Sequence, residues 1–363
     1  MKYIDEFRNI GAIRKLARAI REIAPSQNIS IMEVCGTHTQ SFRRFGLGRM
    51  LPPGLRLIAG PGCPVCVSPQ DYIDQAIELA RKKDVLILSF GDMLRVPGTS
   101  STLEKERARF GNVRVIYSPL DSLTVAGLHP HKKIVLLAVG FETTAPTIAL
   151  SMMRAKKEGL RNIFFLCSLK LIPPAMAQLA QDPRLNLNGF LCPGHVSAII
   201  GLKPYELLVK KYGIGCCIAG FEPLDMMEGL YLLLRQIGRK KPGVDNQYAR
   251  VVKIQGNPKA KKIINHVFRV SDNAWRGLGV IPKSGLSIRK EFARFDAQRE
   301  FSLKRINELT NQRKTKCKCA DVLKGIVSPP ECPLFSKGCT PDHPIGACMV
   351  SSEGACHAYY KYR

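Results

Sequence analysis

Long apolar runs are missing from this sequence of 363 residues. The longest, at 134–141, is far too short to span a bilayer, so no membrane-crossing segment is expected. The opening residues 1–8 carry acids and no apolar stretch, which argues against a secretory signal. Acids are scarce: 29 Asp and Glu stand against 55 Lys and Arg, a formal charge of +26. Yet no basic run exceeds the triplets at 81–83 and 239–241, and an excess dispersed in this way reads as a solvated surface rather than a nucleic-acid stripe. There is no Walker A loop, no Gly-x-Gly-x-x-Gly after the first expected strand and no His-Glu-x-x-His, so nucleotide binding has no motif behind it. With 45% hydrophobic and 23% charged residues, the composition excludes wholesale disorder and predicts a globular chain of two or three domains.

Cysteine is plentiful. Thirteen in a chain without an export signal read as thiols, metal ligands or redox groups in a reducing, cytoplasmic setting rather than as a disulfide scaffold. Cys35, Cys63 and Cys66 lie early; Cys167, Cys192, Cys216 and Cys217 lie mid-chain. Cys317, Cys319, Cys332, Cys339, Cys348 and Cys356 crowd the end.

Apolar residues at helical spacing over 3–23 predict an amphipathic helix. From residue 29, short β-rich runs at 29–34, 55–59, 85–90, 113–117, 134–139, 163–167, 189–192, 216–219 and 251–254 alternate with amphipathic stretches at 72–81, 145–156, 174–181 and 225–237. The alternation predicts α/β architecture with mostly parallel sheets. We expect one α/β domain over 30–125, a second over 126–245, and a third formed from 1–29 and 246–363. Residues 238–245 read as a linker and 283–316 as charged and partly helical. Residues 317–363, rich in Cys, Gly and Pro, are expected to fold around a metal or cluster rather than an apolar core.

The polar motifs share one position: each directly follows an expected strand. These are Cys35-Gly36-Thr37-His38-Thr39, Gly60-Pro61-Gly62-Cys63-Pro64-Val65-Cys66, Gly91-Asp92, Gly140-Phe141-Glu142-Thr143-Thr144, Cys192-Pro193-Gly194-His195 and Gly220-Phe221-Glu222-Pro223. Ligands of open α/β sheets bind at the carboxyl ends of strands, so motifs from both halves of the chain are expected to face one cleft. Cys63 and Cys66 suit a redox dithiol or half a metal site. Cys35 with His38 three residues on, and Thr39, suits a tuned thiol or a metal ligand. Glu142, Thr143 and Glu222 suit either the cleft or helix capping, and His195 suits the cleft or a surface turn. In the tail, only Cys317-x-Cys319 approaches a zinc hook, while widely spaced single cysteines still converge on iron–sulfur clusters.

The Cys35–Thr39, Gly60–Cys66 and Gly140–Pro146 motifs, with the tail from Cys339-Thr340-Pro341 to Gly346-Ala347-Cys348-Met349-Val350-Ser351-Ser352-Glu353-Gly354-Ala355-Cys356, resemble the HypD family of hydrogenase maturation factors nearly end to end. The resemblance implies two parallel-sheet α/β domains around a cleft plus a Cys-rich iron–sulfur domain. It implies a scaffold on which the Fe(CN)2CO unit of nickel–iron hydrogenase is assembled, working with a HypC-type chaperone and a HypE-type cyanide donor. Cys35 would hold iron, shared with a cysteine of the chaperone. Cys63 and Cys66 would be the cleft dithiol. A [4Fe–4S] cluster would take four of Cys319, Cys332, Cys339, Cys348 and Cys356. The rival readings are an iron–sulfur-dependent thiol–disulfide oxidoreductase, in which Cys35 carries no iron, and a zinc-stapled nucleic-acid binder.

Overall fold

The computed structural model describes residues 5–304 and 316–362. Its strands are β1 (Ile29–Glu33), β2 (Leu55–Ala59), β3 (Val85–Ser89), β4 (Val113–Val115), β5 (Lys133–Gly140), β6 (Ile163–Leu169), β7 (Gly189–Pro193), β8 (Gly215–Ala219), β9 (Val244–Asn246), β10 (Phe268–Trp275) and β11 (Gly279–Ile288). Two sheets are wholly parallel. One has five strands in the order β2–β1–β7–β8–β9, the other four in the order β4–β3–β5–β6. Helices cover their faces, so the central strands are buried on both sides and read as continuous apolar runs; all of 134–140 in β5 is buried. The expected α/β class and parallel sheets are therefore present.

The chain lays down β1 and β2, leaves to build the whole four-stranded sheet, and returns with β7 on the free side of β1. The boundary expected between residues 125 and 126 thus cuts through the four-stranded sheet, between β4 and β5. Strand alternation reports that strands exist and run parallel. It does not report which strand a returning chain joins, because that pairing is set by tertiary packing.

Other departures are local. The run 251–254 forms no strand: Val251 and Ile254 face solvent and only Val252 is buried. The edge strand is β9, inside the stretch read as a linker. Residues 283–288 belong to β11, which pairs with β10 in an antiparallel hairpin. Residues 3–4 of the expected first helix and 305–315 of the stretch expected to be partly helical lie outside the described residues.

The first helix runs Ile10–Ile23, opened by the Asn9 side chain accepting the Ala12 N–H at 2.9 Å. Its Ile13, Ala17 and Ile20 pack on Met226, Leu230 and Leu233 of the helix Pro223–Gly238, against the five-stranded sheet. The tail does not lack an apolar core. Val322, Leu323, Met349 and Val350 are buried in the cluster that also holds Met32, Val34, Val135 and Leu137 of the two sheets. The thiol-rich segment is thereby pressed against the sheets that carry the other motifs.

Candidate thiol and metal site

Each parallel sheet reverses its winding once. In the five-stranded sheet, β1 leads outward to β2 while neighbouring β7 leads the other way to β8 and β9. In the four-stranded sheet, β3 and β5 diverge likewise. A crevice opens at the carboxyl ends of strands that diverge in this manner. Cys35 follows β1, Gly194-His195 follow β7, Gly91-Asp92 follow β3 and Phe141-Glu142 follow β5. Each motif follows a strand as expected; these four fall on the strands that flank the two switch points, while Gly60–Cys66 follows β2 and Gly220–Pro223 follows β8.

Cys35 caps the helix Gly36–Arg44 in extended conformation. The Gly36 N–H donates to the Gly62 carbonyl at 3.0 Å. A Cβ at Gly62 would collide with the Cys35 backbone, so only glycine lets the Cys63–Cys66 loop lie this close. Cys63 and Cys66 are bonded through sulfur, and the Cys66 N–H donates to Cys63 Sγ at 3.1 Å. From the other side the tail closes in: Thr37 Oγ1 donates to Glu353 Oε1 at 3.1 Å. Burial and the Glu353 carboxyl push the Cys35 thiol up to about 11, against the N–H groups of His38 and Thr37 that favour the thiolate. Burial also raises Glu353, with Asp92 nearby adding to the shift.

His38 does not turn its Nε2 to the thiol. That atom donates to the carbonyls of Ala219 (3.2 Å) and Gly220 (3.0 Å) at the end of β8, and burial lowers the imidazole to about 4, so the ring is neutral. Its Nδ1 is buried without a hydrogen-bond partner. The ring lies 4.9 Å from that of Phe221, which in turn sits 4.1 Å from His195. His38 and His195 thus meet through Phe221, at the switch point. Burial depresses His195 too.

The acids behave as caps as well as cleft groups. Glu142 is buried, raised to about 7 by burial, and its Oε1 accepts the Ile172 N–H that opens the helix Ile172–Leu179. Its Oε2 has no hydrogen-bond partner. Glu222 forms a capping box with Asp225 on the helix Pro223–Gly238 and binds the Arg8 guanidinium through both oxygens. Thr39 is buried with its hydroxyl 3.4 Å from the Cys35 carbonyl; Thr143 is exposed before the helix Ala145–Lys157. Cys192, Cys216 and Cys217 are buried in β7 and β8, and Cys167 is half-buried in β6.

The tail cysteines converge. Cys317, Cys319, Cys332, Cys339, Cys348 and Cys356 line one small chamber with Phe335, Gly346 and Met349. Cys319 Sγ and Cys348 Sγ lie 3.0 Å apart, and Cys348 is also hydrogen-bonded to Cys356. The Cys348 S–H lowers the Cys319 thiol, and Cys348 is raised in return. Cys317 faces Cys332 and Cys339, and Cys339 faces Cys356. Backbone N–H groups already point at two of them, Lys318 to Cys332 Sγ (3.4 Å) and Ile345 to Cys339 Sγ (3.3 Å), the kind of donor that tunes cluster thiolates. Among the described residues no group of three or more His, Cys, Asp or Glu is set around a single metal ion. A cubane cluster does not need such a point, because each of its thiolates binds a different iron corner. Six soft thiol donors lining one chamber are a donor set that an iron–sulfur cluster can use.

The chamber and the Cys63–Cys66 loop adjoin. Cys66 Sγ lies 3.8 Å from the Ala347 carbonyl oxygen, next to Cys348. Arg276, at the turn of the β10–β11 hairpin, ties the loop down: its N–H and Nε donate to the carbonyls of Val67 (2.8 Å) and Ser68 (2.7 Å). Its charge also favours the Cys319 thiolate. Reading the sequence missed Arg276 and Glu353; Cys317, outside the set the resemblance implied, lines the chamber with the other five. The Glu lies in a quoted motif, whereas nothing local marks the Arg, which is about 210 residues from the loop it holds.

A family profile described as "HypD: Hydrogenase formation hypA family" matches residues 11–363. The "Hydrogenase expression/formation protein HupD" of Azotobacter chroococcum mcd 1 is 45% identical over 370 aligned positions, covering 100% of this chain and 97% of that protein. The "Hydrogenase maturation factor HypD2" of Bradyrhizobium diazoefficiens is 43% identical, with 100% and 97% covered. The "Hydrogenase maturation factor HypD" of Escherichia coli K12 is 40% identical, with 100% and 98% covered. With likeness of this extent over both chains, the chain belongs to the HypD family of hydrogenase maturation factors.

Proposed function

We propose that this protein is the scaffold on which the Fe(CN)2CO unit of a nickel–iron hydrogenase is put together, with the iron as cargo on Cys35. The observation that carries the reading is the setting of Cys35. It is a part-buried thiol at a switch point, with the Cys63–Cys66 loop against its backbone and the tail's Glu353 on the adjoining Thr37. A soft thiolate suits low-spin iron bearing cyanide and carbon monoxide. Because burial holds the free thiol protonated near neutral pH, capture of iron there releases a proton, and the facing N–H groups of Thr37 and His38 then support the thiolate. The expected partners are a HypC-type chaperone, which shares the iron through a cysteine of its own, and a HypE-type cyanide donor, in the cytoplasm. Among the described residues no helix is long and apolar enough to cross a membrane.

Cys63 and Cys66 are proposed as the redox pair: opening their disulfide takes up two electrons and two protons, and closing it returns them. The residues proposed to hold a [4Fe–4S] cluster are Cys317, Cys332, Cys339 and Cys356. Cys319 and Cys348, whose sulfurs already touch, are left as a second dithiol beside Cys66. This assignment departs from the expected set, four of Cys319, Cys332, Cys339, Cys348 and Cys356, on the ground that the Cys319 and Cys348 sulfurs are 3.0 Å apart. When bound, the cluster supplies one-electron exchange at this place.

The contact between Cys66 and the Cys348 segment also suits the rival reading, a thiol–disulfide oxidoreductase without iron on Cys35. One experiment separates the two: an infrared spectrum of anaerobically purified protein, co-expressed with its chaperone, in the window of metal-bound cyanide and carbon monoxide. The scaffold reading expects bands in the wild type that vanish in Cys35→Ala. A brown protein without bands sinks it and leaves the oxidoreductase.

A further inference from the structure

A depression of about 980 Å³ opens between the helices Gly36–Arg44 and Ala355–Lys361. Its lining is basic and aromatic. Arg43, Arg44, Arg49 and Lys361 contribute four positive charges, and no acid is among the described residues that line it. The cations are held by ring faces. The Arg43 guanidinium lies 3.4 Å from the centre of the Tyr359 ring, and Arg44 lies 5.5 Å from that of Phe45. Such stacking fixes a guanidinium in place without neutralising it, so the charge stays available to a partner. One residue belongs to both hollows: Phe335 lines the groove on one side and the six-sulfur chamber on the other. A protein seated in the groove is separated from the sulfurs by the thickness of one aromatic side chain.

We infer that this groove is the docking surface of a small acidic one-electron carrier protein, which supplies reducing equivalents across Phe335 to the sulfur chamber. The inference rests on the cluster reading given above. Charge complementarity selects the occupant: a shallow, unopposed basic groove on a chain of +26 steers an acidic surface toward it, and short-lived redox encounters need only a small interface. Electrons balance simply. Two encounters oxidise two carriers by one electron each, and the two electrons with two protons from water open one disulfide to two thiols.

The test uses the full holo-protein and a chemically reduced plant-type [2Fe–2S] ferredoxin as the acidic carrier. Stopped-flow absorbance follows bleaching of the cluster, and anisotropy of labelled ferredoxin follows binding. The triple variant Arg44→Glu, Arg49→Glu, Lys361→Glu changes only exposed side chains. The expected result is at least about a tenfold slower bleaching at low salt, weaker ferredoxin binding, and loss of the salt dependence seen in the wild type. Reduction by the methyl viologen radical, a small cation that needs no groove, stays at the wild-type rate. Equal ferredoxin rates in variant and wild type overturn the proposal. So does loss of inorganic phosphate binding in the variant with ferredoxin unaffected, which would make the groove a small-anion site. Should the variant fail to fold, salt dependence of the wild-type rate decides: a rate flat in ionic strength overturns the proposal as well. Protein purified without iron or brown absorbance would sink the cluster reading instead, and ferredoxin anisotropy would still decide the docking.

Discussion

The edge of the five-stranded sheet and the sulfur chamber of the tail are neighbours built on opposite principles. At the sheet edge every reactive group is also structural. His38 donates to the ends of β8, Glu222 caps a helix, and Cys35 opens one. Buried charge there is paired, as in the Asp225 carboxylate gripped by both nitrogens of Arg250. In the chamber the sulfurs face mainly one another, with apolar side chains and a few N–H groups behind them. Arg276 is the cation that acts on this group, and it favours the Cys319 thiolate. The comparison teaches that the edge groups are held by polar contacts with the backbone and with one another, and the chamber thiols by an apolar shell shared with the two sheets.

The largest effect expected follows from that difference. Cys317→Ala or Cys339→Ala is expected to lower sharply the brown absorbance and bound iron of anaerobically purified protein, since each removes one of the four proposed anchors and the chamber's two remaining thiols, Cys319 and Cys348, are engaged with each other. Cys319→Ala and Cys348→Ala are expected to keep both. Iron analysis with the visible spectrum reads the outcome. Loss in Cys319→Ala with retention in Cys317→Ala would reverse the ligand assignment.

The next effect belongs to the edge. Asp225 is fully buried, and Arg250 holds it at 2.8 and 2.6 Å while stacking on Tyr248 and Phe7. Arg250→Ala leaves that carboxylate with Gln247 as its remaining side-chain donor, and is expected to cost about 3–5 kcal/mol in urea denaturation. The iron content is expected to be unchanged, because the lesion lies across the molecule's core from the chamber. A cost under about 1 kcal/mol would mean that water reaches Asp225 and that the edge is less dependent on pairing than its geometry indicates.

What was legible in the sequence follows the same division. The motif-bearing strand ends were readable because two signals are local: an apolar run long enough for a strand, and a Gly-rich turn carrying polar groups directly after it. β1, β2, β5, β7 and β8 all lie where those signals put them. The pairing of β1 with β7 was not readable, since Glu33 and Leu191 lie side by side only after 150-odd residues have folded elsewhere. Nor was the chamber's internal order. Spacing along the chain says that six cysteines are near each other, not which two touch, and Cys319 meets Cys348 across 29 residues. The hairpin β10–β11 was missed because Asn273 and Lys283 interrupt its alternation with polar groups that are turned to use: Asn273 Oδ1 accepts from the buried Lys170 at 2.5 Å.

The smallest effect is a change of slope, and it asks whether the edge is dry. An unfolded imidazole takes a proton near 6.5, whereas His38 in the fold resists until about 4. Between those values the unfolded chain binds one more proton than the native one, so this residue makes stability fall as pH falls from 6.5 to 4, by at most about 3 kcal/mol. Wild-type stability alone will not reveal it. Glu33 and Glu142, raised by burial to about 8 and about 7, act with the opposite sign: they stay protonated in the fold where the unfolded carboxyls have ionised, and weaken the protein as pH rises from 4.5 toward those values. Both acids are present in His38→Gln, whose amide N–H replaces the Nε2 donor to Ala219 and Gly220, so they cancel in the difference between variant and wild type. His195, whose ring remains in the variant, cancels likewise. The expected outcome is therefore a difference in unfolding free energy that moves in favour of His38→Gln as pH drops from 6.5 to 4 and is level above 7. A difference flat across that range would mean that the imidazole accepts a proton inside the fold, and that the switch point beside Cys35 admits water.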